Sequence, residues 1–489
     1  MKKYLIGMAI AATVSAPVWA ANDFGAQMEK LLRAQSLKYF GIVKPLTDSA
    51  EGSVPRAPGQ KASDLIELAH GLKAAVLTRE TANKADMFAF WPSDENPTHT
   101  IWCIEGGRET LSNDKYNPSV QAIDLATGAV TTLVRGMDRC DGIRRTAWGT
   151  ILATEETGDG GAYEILDPLN TNTTVLDRAT GDVSEPVHVA KRAALPTMAW
   201  EGLTVLDSGV VIGGDELRPG TGEDDKDGGA IFKFVPASPY TGNNAIQNLD
   251  ESPLASGSTY AMQVSCRDSR QQYGQGCEIG NAAWISILAA NARDDADRVG
   301  ATGYYRPEDL HQDPTYEGEG VRFCWTNTGN EGAKNYAEVV CGVDSEPLLA
   351  DADTRSVVVN RFVEGDTDFN SFDNLAFQPH TGNLYVIEDH SNGDVFACLP
   401  DGEDRDIKTD GCVKVLSVKD RSAEPTGFGF TADGETALLS IQHSNDSHCG
   451  AGTDCADVDG YATDDIVVVT GFRHLNRLFG GRDDHRFDR

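Results

Sequence analysis

Acidic side chains recur in this sequence at two kinds of position: the start of an apolar run, and the end of the run that follows it. Run starts carry Cys140/Asp141, Glu201, Glu308/Asp309, Asp373/Asn374 and Glu424. Run ends carry Glu105, Glu155/Glu156, Asp215/Glu216, Asn327, Glu388/Asp389 and Gln442/His443. Carboxylates gathered away from water repel one another and shed charge by taking up protons, unless cations sit between them. Hard oxygen donors at this density suit Ca2+, which accepts several carboxylates with little geometric demand.

The elements that must position these groups form a repeat. Segments beginning at Asp86, Cys140, Trp200, Arg306, Phe372 and Glu424 share one plan: a polar start, an apolar strand, a Gly/Asp/Pro turn and a second apolar strand ending in acids or amides. Alternation of period two bounded by turn residues predicts hairpins of β-strands. Successive starts lie 52 to 66 residues apart, except for 106 between Trp200 and Arg306, where residues 236–298 read as an insertion. These units predict an all-β fold, a six-bladed β-propeller over residues 81–472 with a few short peripheral helices. Its innermost strands would line a central channel and bring the recurring acids to one axis. Helical patterning is expected over Phe24–Tyr39 and Ala62–Leu77, inside an N-terminal extension at residues 21–80; residues 473–489 read as a tail.

With 42 Lys+Arg against 75 Asp+Glu the net charge is −33, which argues against nucleic-acid or anionic-membrane partners. Lys2-Lys3, an apolar stretch to Val14 and Val18-Trp19-Ala20 read as a Sec-type signal over residues 1–20, for a periplasmic or extracellular protein. No later stretch is long and apolar enough to span a membrane. Export agrees with ten cysteines. Eight lie close together in pairs, predicting disulfides Cys266–Cys277, Cys324–Cys341, Cys398–Cys412 and Cys449–Cys455. Cys103 and Cys140 are left over, either as a fifth disulfide or as free thiols. Asp48-Ser49-Ala50 mimics a nucleophile triplet but lies in a Pro/Gly-rich loop, and GTGEDDKDGG (220–229) reads as an acidic surface hairpin.

Four motifs in order resemble the PhoX family of secreted alkaline phosphatases: CDGIRRTAWGTILATEE (140–156), YRPEDL (305–310), FDNLAFQP (372–379) and EPTGFGFTADGETALLSIQH (424–443). The resemblance implies a six-bladed propeller that hydrolyses phosphate monoesters with ferric iron and calcium. Carried over by position, it makes Cys140, Glu201 and Glu308 ligands of Fe3+. It gives Glu155, Glu156, Asp373, Glu388, Asp389 and Glu424 to Ca2+ sites, and makes Arg306 the fork that grips the substrate phosphate. The implied partners are small phosphorylated substrates, and the protein is expected to be a monomer. The chain departs from the family at Ala147, where a proline is expected, at Trp102-Cys103-Ile104-Glu105 and in its Sec-like leader. A Cys103–Cys140 bond would remove the iron thiolate. Two rival functions share the fold: a calcium-stabilised propeller for binding or assembly, and a calcium-dependent esterase or lactonase.

Overall fold

Each repeat opens with one strand of an inner set: β1 (Ala85–Trp91), β2 (Cys140–Arg145), β3 (Trp200–Val205), β4 (Pro307–Gln312), β5 (Phe372–Phe377) and β6 (Glu424–Phe430). In the computed structural model these strands pack in chain order, and β6 returns to β1, so the inner set closes on itself. The result is an all-β, propeller-like arrangement with few helices. The structure describes residues 24–473 except 55, 58, 221–227, 265–277, 351, 355, 401–410, 445–456 and 459. The proposed leader, the acidic hairpin loop, both outlying cysteine pairs and most of the tail therefore fall outside the described residues.

Hydrogen bonding divides the described strands into five sheets rather than six. The sheets opened by β1, β2, β5 and β6 stand apart, whereas those opened by β3 and β4 are joined into one of nine strands. The join is made between the expected insertion and the outer strand of the β4 sheet: Gly280–Ile287 pairs antiparallel with Val357–Glu364. The insertion thus supplies two sheet strands, Gly257–Val264 and Gly280–Ile287, and among its described residues helix is confined to Ala292–Val299 with short 3-10 turns.

The N-terminal region differs from expectation. Helix forms over Phe24–Ala34 and Ser36–Tyr39, but the second helical pattern yields only Ala62–Leu65. Lys73–Ala82 instead pairs with Tyr461–Thr470 in the sheet opened by β6. Its Ala, Lys, Leu and Glu content favours helix, yet an open sheet edge supplies partners for the backbone groups along one side, and tertiary pairing overrides propensity. The sheet system therefore begins before residue 81. Arg56, 1% exposed, ties the preceding segment down by donating to Thr463 Oγ1 (2.9 Å) and pairing with Asp465 (3.2 Å).

Apolar clusters lie between the sheets. One gathers Met87, Ile101, Val120, Ile143, Ile151 and Tyr163 between the sheets of β1 and β2. Another unites the β5 and β6 sheets around Tyr385, Val415, Phe428 and Leu439.

Candidate metal centre in the channel

A register shift interrupts every inner strand near its start. The irregularity falls between Ala85 and Phe88 in β1, Cys140 and Ile143 in β2, and Trp200 and Leu203 in β3. It recurs between Pro307 and Leu310 in β4, Phe372 and Leu375 in β5, and Thr426 and Gly429 in β6. A bulge re-aims the side chains it carries. In β1 to β5 the shifted stretch begins with an acid: Asp86, Asp141, Glu201, Glu308 and Asp373. Gly142 and Gly202 follow two of these because neighbouring strands come too close for a side chain. A Cβ at Gly142 would lie 2.0 Å from the Glu201 carbonyl oxygen, and one at Gly202 2.0 Å from the Leu310 nitrogen.

The acids gather in two groups. Asp86, Glu105 and Asp141 offer oxygens within 4.8 Å of one another, as do Glu201, Glu308 and Asp373. All but Glu105 are buried. Burial, followed by repulsion among neighbouring carboxylates, raises the pKa values of Asp86, Asp141 and Glu201 well above the usual range. Burial raises Asp373 too, and pushes Glu308 up to about 7. Asp141 Oδ1 and Glu308 Oε2 are buried and accept no hydrogen bond. Buried carboxylate oxygens left without donors are groups that a cation would satisfy. The donor set is all carboxylate, which suits calcium.

Arginines flank both groups from equivalent positions. Arg139 precedes β2 and Arg306 precedes β4, each in left-handed backbone at φ 54° and 55°. Their carbonyls accept the N–H groups of Glu156 (2.8 Å) and Thr328 (3.2 Å). Arg139 reaches Glu105 and Glu156, each at 2.5 Å. Arg306 reaches Glu216 and, at 3.1 Å, Glu308. With Arg218 and Arg293 they line a cavity of about 550 Å3 at this end of the channel.

The sequence-derived residues divide accordingly. Glu201, Glu308 and Asp373 come together, and Glu156 stands beside Arg139. Asp389 and Glu424 share a hydrogen bond, with His443 Nε2 3.3 Å from Glu424. Glu155 and Glu388 are engaged elsewhere. Glu155 accepts from Asp138 N–H (2.9 Å), Gly161 N–H (3.0 Å) and Arg178 (2.8 Å). Glu388 accepts from Asn370 N–H (2.9 Å) and Asp394 N–H (3.2 Å) and lies 3.3 Å from His390. Both carboxylates brace the sheet rather than offering free oxygens to the channel.

Cys140 is corrected as an iron ligand. Its sulfur is bonded to that of Cys103, and both residues lie in the apolar cluster between the β1 and β2 sheets. Successive strand residues face opposite ways; Asp141 takes the channel, so Cys140 faces the core. Cys324–Cys341 and Cys398–Cys412 form as expected. Ser49 donates to Asp394 (2.7 Å) and accepts from Lys414 (2.6 Å), tying the N-terminal loop to the sheet.

Asp86 and Arg139 were missed as site residues, although a signal exists. A base two residues before an acid opens three repeats: Lys84/Asp86, Arg139/Asp141 and Arg306/Glu308.

Fold and site together define a propeller-like protein whose channel could hold metal ions. Residues 220–445 match the family model described as alkaline phosphatase PhoX. A solved structure of Pseudomonas fluorescens PhoX with vanadate, a transition state analogue, is similar in fold at 16% identity and TM-score 0.59, over 86% of this chain and 97% of that one. A gluconolactonase from Xanthomonas campestris aligns at 11% identity and TM-score 0.36, over 87% of this chain and 99% of that one. A Trichoderma reesei family AA12 calcium structure aligns at 12% and TM-score 0.40, over 87% and 99%. No curated protein sequence matches the chain.

Proposed function

We propose that this protein is an exported, metal-dependent phosphatase that hydrolyses small phosphate monoesters at the channel acids. In this reading the fold is a six-bladed propeller with the β3 and β4 blades fused. The observation that carries the proposal is Arg306, held between Glu216 and Glu308 beside the Glu201/Glu308/Asp373 group. Arginine presents a planar two-point fork to phosphate oxygens, and here it stands over carboxylates that await cations.

Glu201, Glu308 and Asp373 would hold one calcium ion, and Asp86, Glu105 and Asp141 a second. Bound there, such ions supply Lewis-acid charge to neutralise a phosphoryl group and lower the pKa of a bound water. Arg306 orients the phosphate, and Arg139 fixes Glu105 and Glu156 at the facing wall. Asp389 and Glu424 would form a further acidic station with His443. Ferric iron loses its thiolate in this arrangement, because Cys140 is engaged with Cys103; Glu201 and Glu308 are its remaining family ligands.

Export is supported by the disulfides and by the Sec-like leader. Among the described residues no helix is long and apolar enough to cross a membrane. Export would deliver the chain, as a monomer, to the calcium-rich side of the membrane.

The test is hydrolysis of a chromogenic phosphomonoester at alkaline pH by protein secreted into an oxidising compartment, with calcium present and with chelator. Activity that needs calcium and vanishes in Arg306→Ala supports the enzyme. Full calcium loading without activity supports the rival reading, a non-catalytic calcium-stabilised propeller. The Cys103–Cys140 bond favours that rival.

A further inference from the structure

The acids stand at the starts of the inner strands. At the other ends of the same strands lies a second cavity of about 290 Å3. Strands rise about 3.3 Å per residue, so three residues beyond the acids the channel is roughly 10 Å further along. Strands β1, β2, β4, β5 and β6 all contribute to this far mouth, and its lining includes five phenylalanines, Phe88, Phe90, Phe377, Phe428 and Phe430, alongside a set of charged and polar side chains.

The rings are fixed by one another. Phe88 stacks on Trp102 with centroids 4.5 Å apart and meets Phe90 edge-on at 5.2 Å; Phe430 meets Phe428 at 5.3 Å and Phe472 at 5.1 Å. A rigid aromatic wall keeps its shape when empty and loses little side-chain entropy on receiving a flat apolar guest.

Charge at this mouth is uneven. Arg144 is fully engaged, donating to Asp309 (2.9 Å) and to the Leu310 carbonyl (3.0 Å). Asp309 is completed by His311 (3.0 Å) and by Leu375 N–H (3.1 Å), so this group separates the far cavity from the acids. Arg145 is different. Its Nη2 meets Asp94 at 2.7 Å, a residue whose side chain is 54% exposed, while its buried Nε meets no acceptor. An exposed pair of this kind contributes little, so its carboxylate is readily exchanged. A ligand carboxylate taking both Nε and Nη2 would satisfy the orphaned donor as well as replace Asp94.

We propose that the far mouth binds a small aromatic carboxylate, its ring against the phenylalanine wall and its carboxylate on Arg145. This site is independent of the phosphatase reading, because none of its residues belongs to the acid groups or to the arginine-lined cavity.

The test uses the full-length, calcium-loaded protein and 1-naphthoate as probe, followed by calorimetry. Saturable binding at one site is expected, roughly tenfold or more weaker in Arg145→Ala, through loss of the charge-assisted fork. A comparable weakening is expected for 1-naphthalenemethanol, which keeps the ring and lacks the charge. Excess orthophosphate should leave binding unaltered. Failure of 1-naphthoate to saturate, equal affinity in Arg145→Ala, or displacement by orthophosphate overturns the proposal; the last would move the probe to the acid end.

Discussion

Glu155 and Glu156 are neighbours in the chain that do opposite work. Glu155 turns away from the channel into a cage of two backbone N–H groups and Arg178, whereas Glu156 faces the channel against Arg139. The same division recurs at Asp215/Glu216. Asp215 accepts Ala199 N–H (2.9 Å) and holds Arg293 (2.7 Å), while Glu216 meets Arg306. It recurs again at Glu388/Asp389. The first acid of each pair braces the sheet, whereas the second meets another charged side chain: Arg139, Arg306 or Glu424.

The first prediction separates these roles. Glu155→Gln should cost about 3 kcal/mol of stability, the scale for breaking a buried pair, while retaining bound calcium. Glu201→Gln should show the reverse, with reduced calcium content and a metal-free stability equal to or above that of wild type. Denaturant unfolding with elemental analysis checks both; calcium loss in Glu155→Gln would return that residue to the ligand set.

Chelation should lower the melting temperature. Each calcium site held at a hundredfold excess over its Kd adds about 2.7 kcal/mol to the folded state. Differential scanning calorimetry in calcium and in excess chelator measures this, and superimposable curves would remove calcium from the channel.

The pH dependence should change sign with metal. Without metal, burial holds Glu308 protonated up to about 7, well above its unfolded value. The folded state then binds more protons across that interval, so metal-free stability falls as pH rises through it. Calcium requires the deprotonated carboxylates, so in its presence stability should instead increase with pH. Melting temperatures at about pH 5 and pH 8, with and without chelator, give the two slopes; slopes of the same sign would contradict the assignment.

Removing Cys103 and Cys140 together, as serines, should cost about 2–5 kcal/mol and leave the calcium content unchanged. Loss of metal in that variant would restore Cys140 to the channel. Peptide mapping of the non-reduced protein should find Cys103–Cys140, Cys324–Cys341 and Cys398–Cys412.

Much of this fold was legible because alternation and turn residues repeat at regular spacing: the starts at Asp86, Cys140, Trp200, Arg306, Phe372 and Glu424 all became inner strands. The site was harder to read. Which of Glu308 and Asp309 joins the acid group depends on a bulge, and a bulge leaves no mark in a period-two pattern. Cys140 shows the consequence: its place in a family motif suggested a ligand, while strand alternation beside Asp141 buries it in the core. Lys73–Ala82 was hidden for another reason, since its partner strand lies at the opposite end of the chain.

That distant pairing bears on how the protein comes into being. Lys73–Ala82 can only be captured once Tyr461–Thr470 exists, so the ring stays open until nearly the whole polypeptide has been made. Contacts of such long sequence separation form slowly. A chain still being synthesised could not lock itself shut prematurely, and one cut short before residue 461 would carry an exposed sheet edge that invites association with other chains.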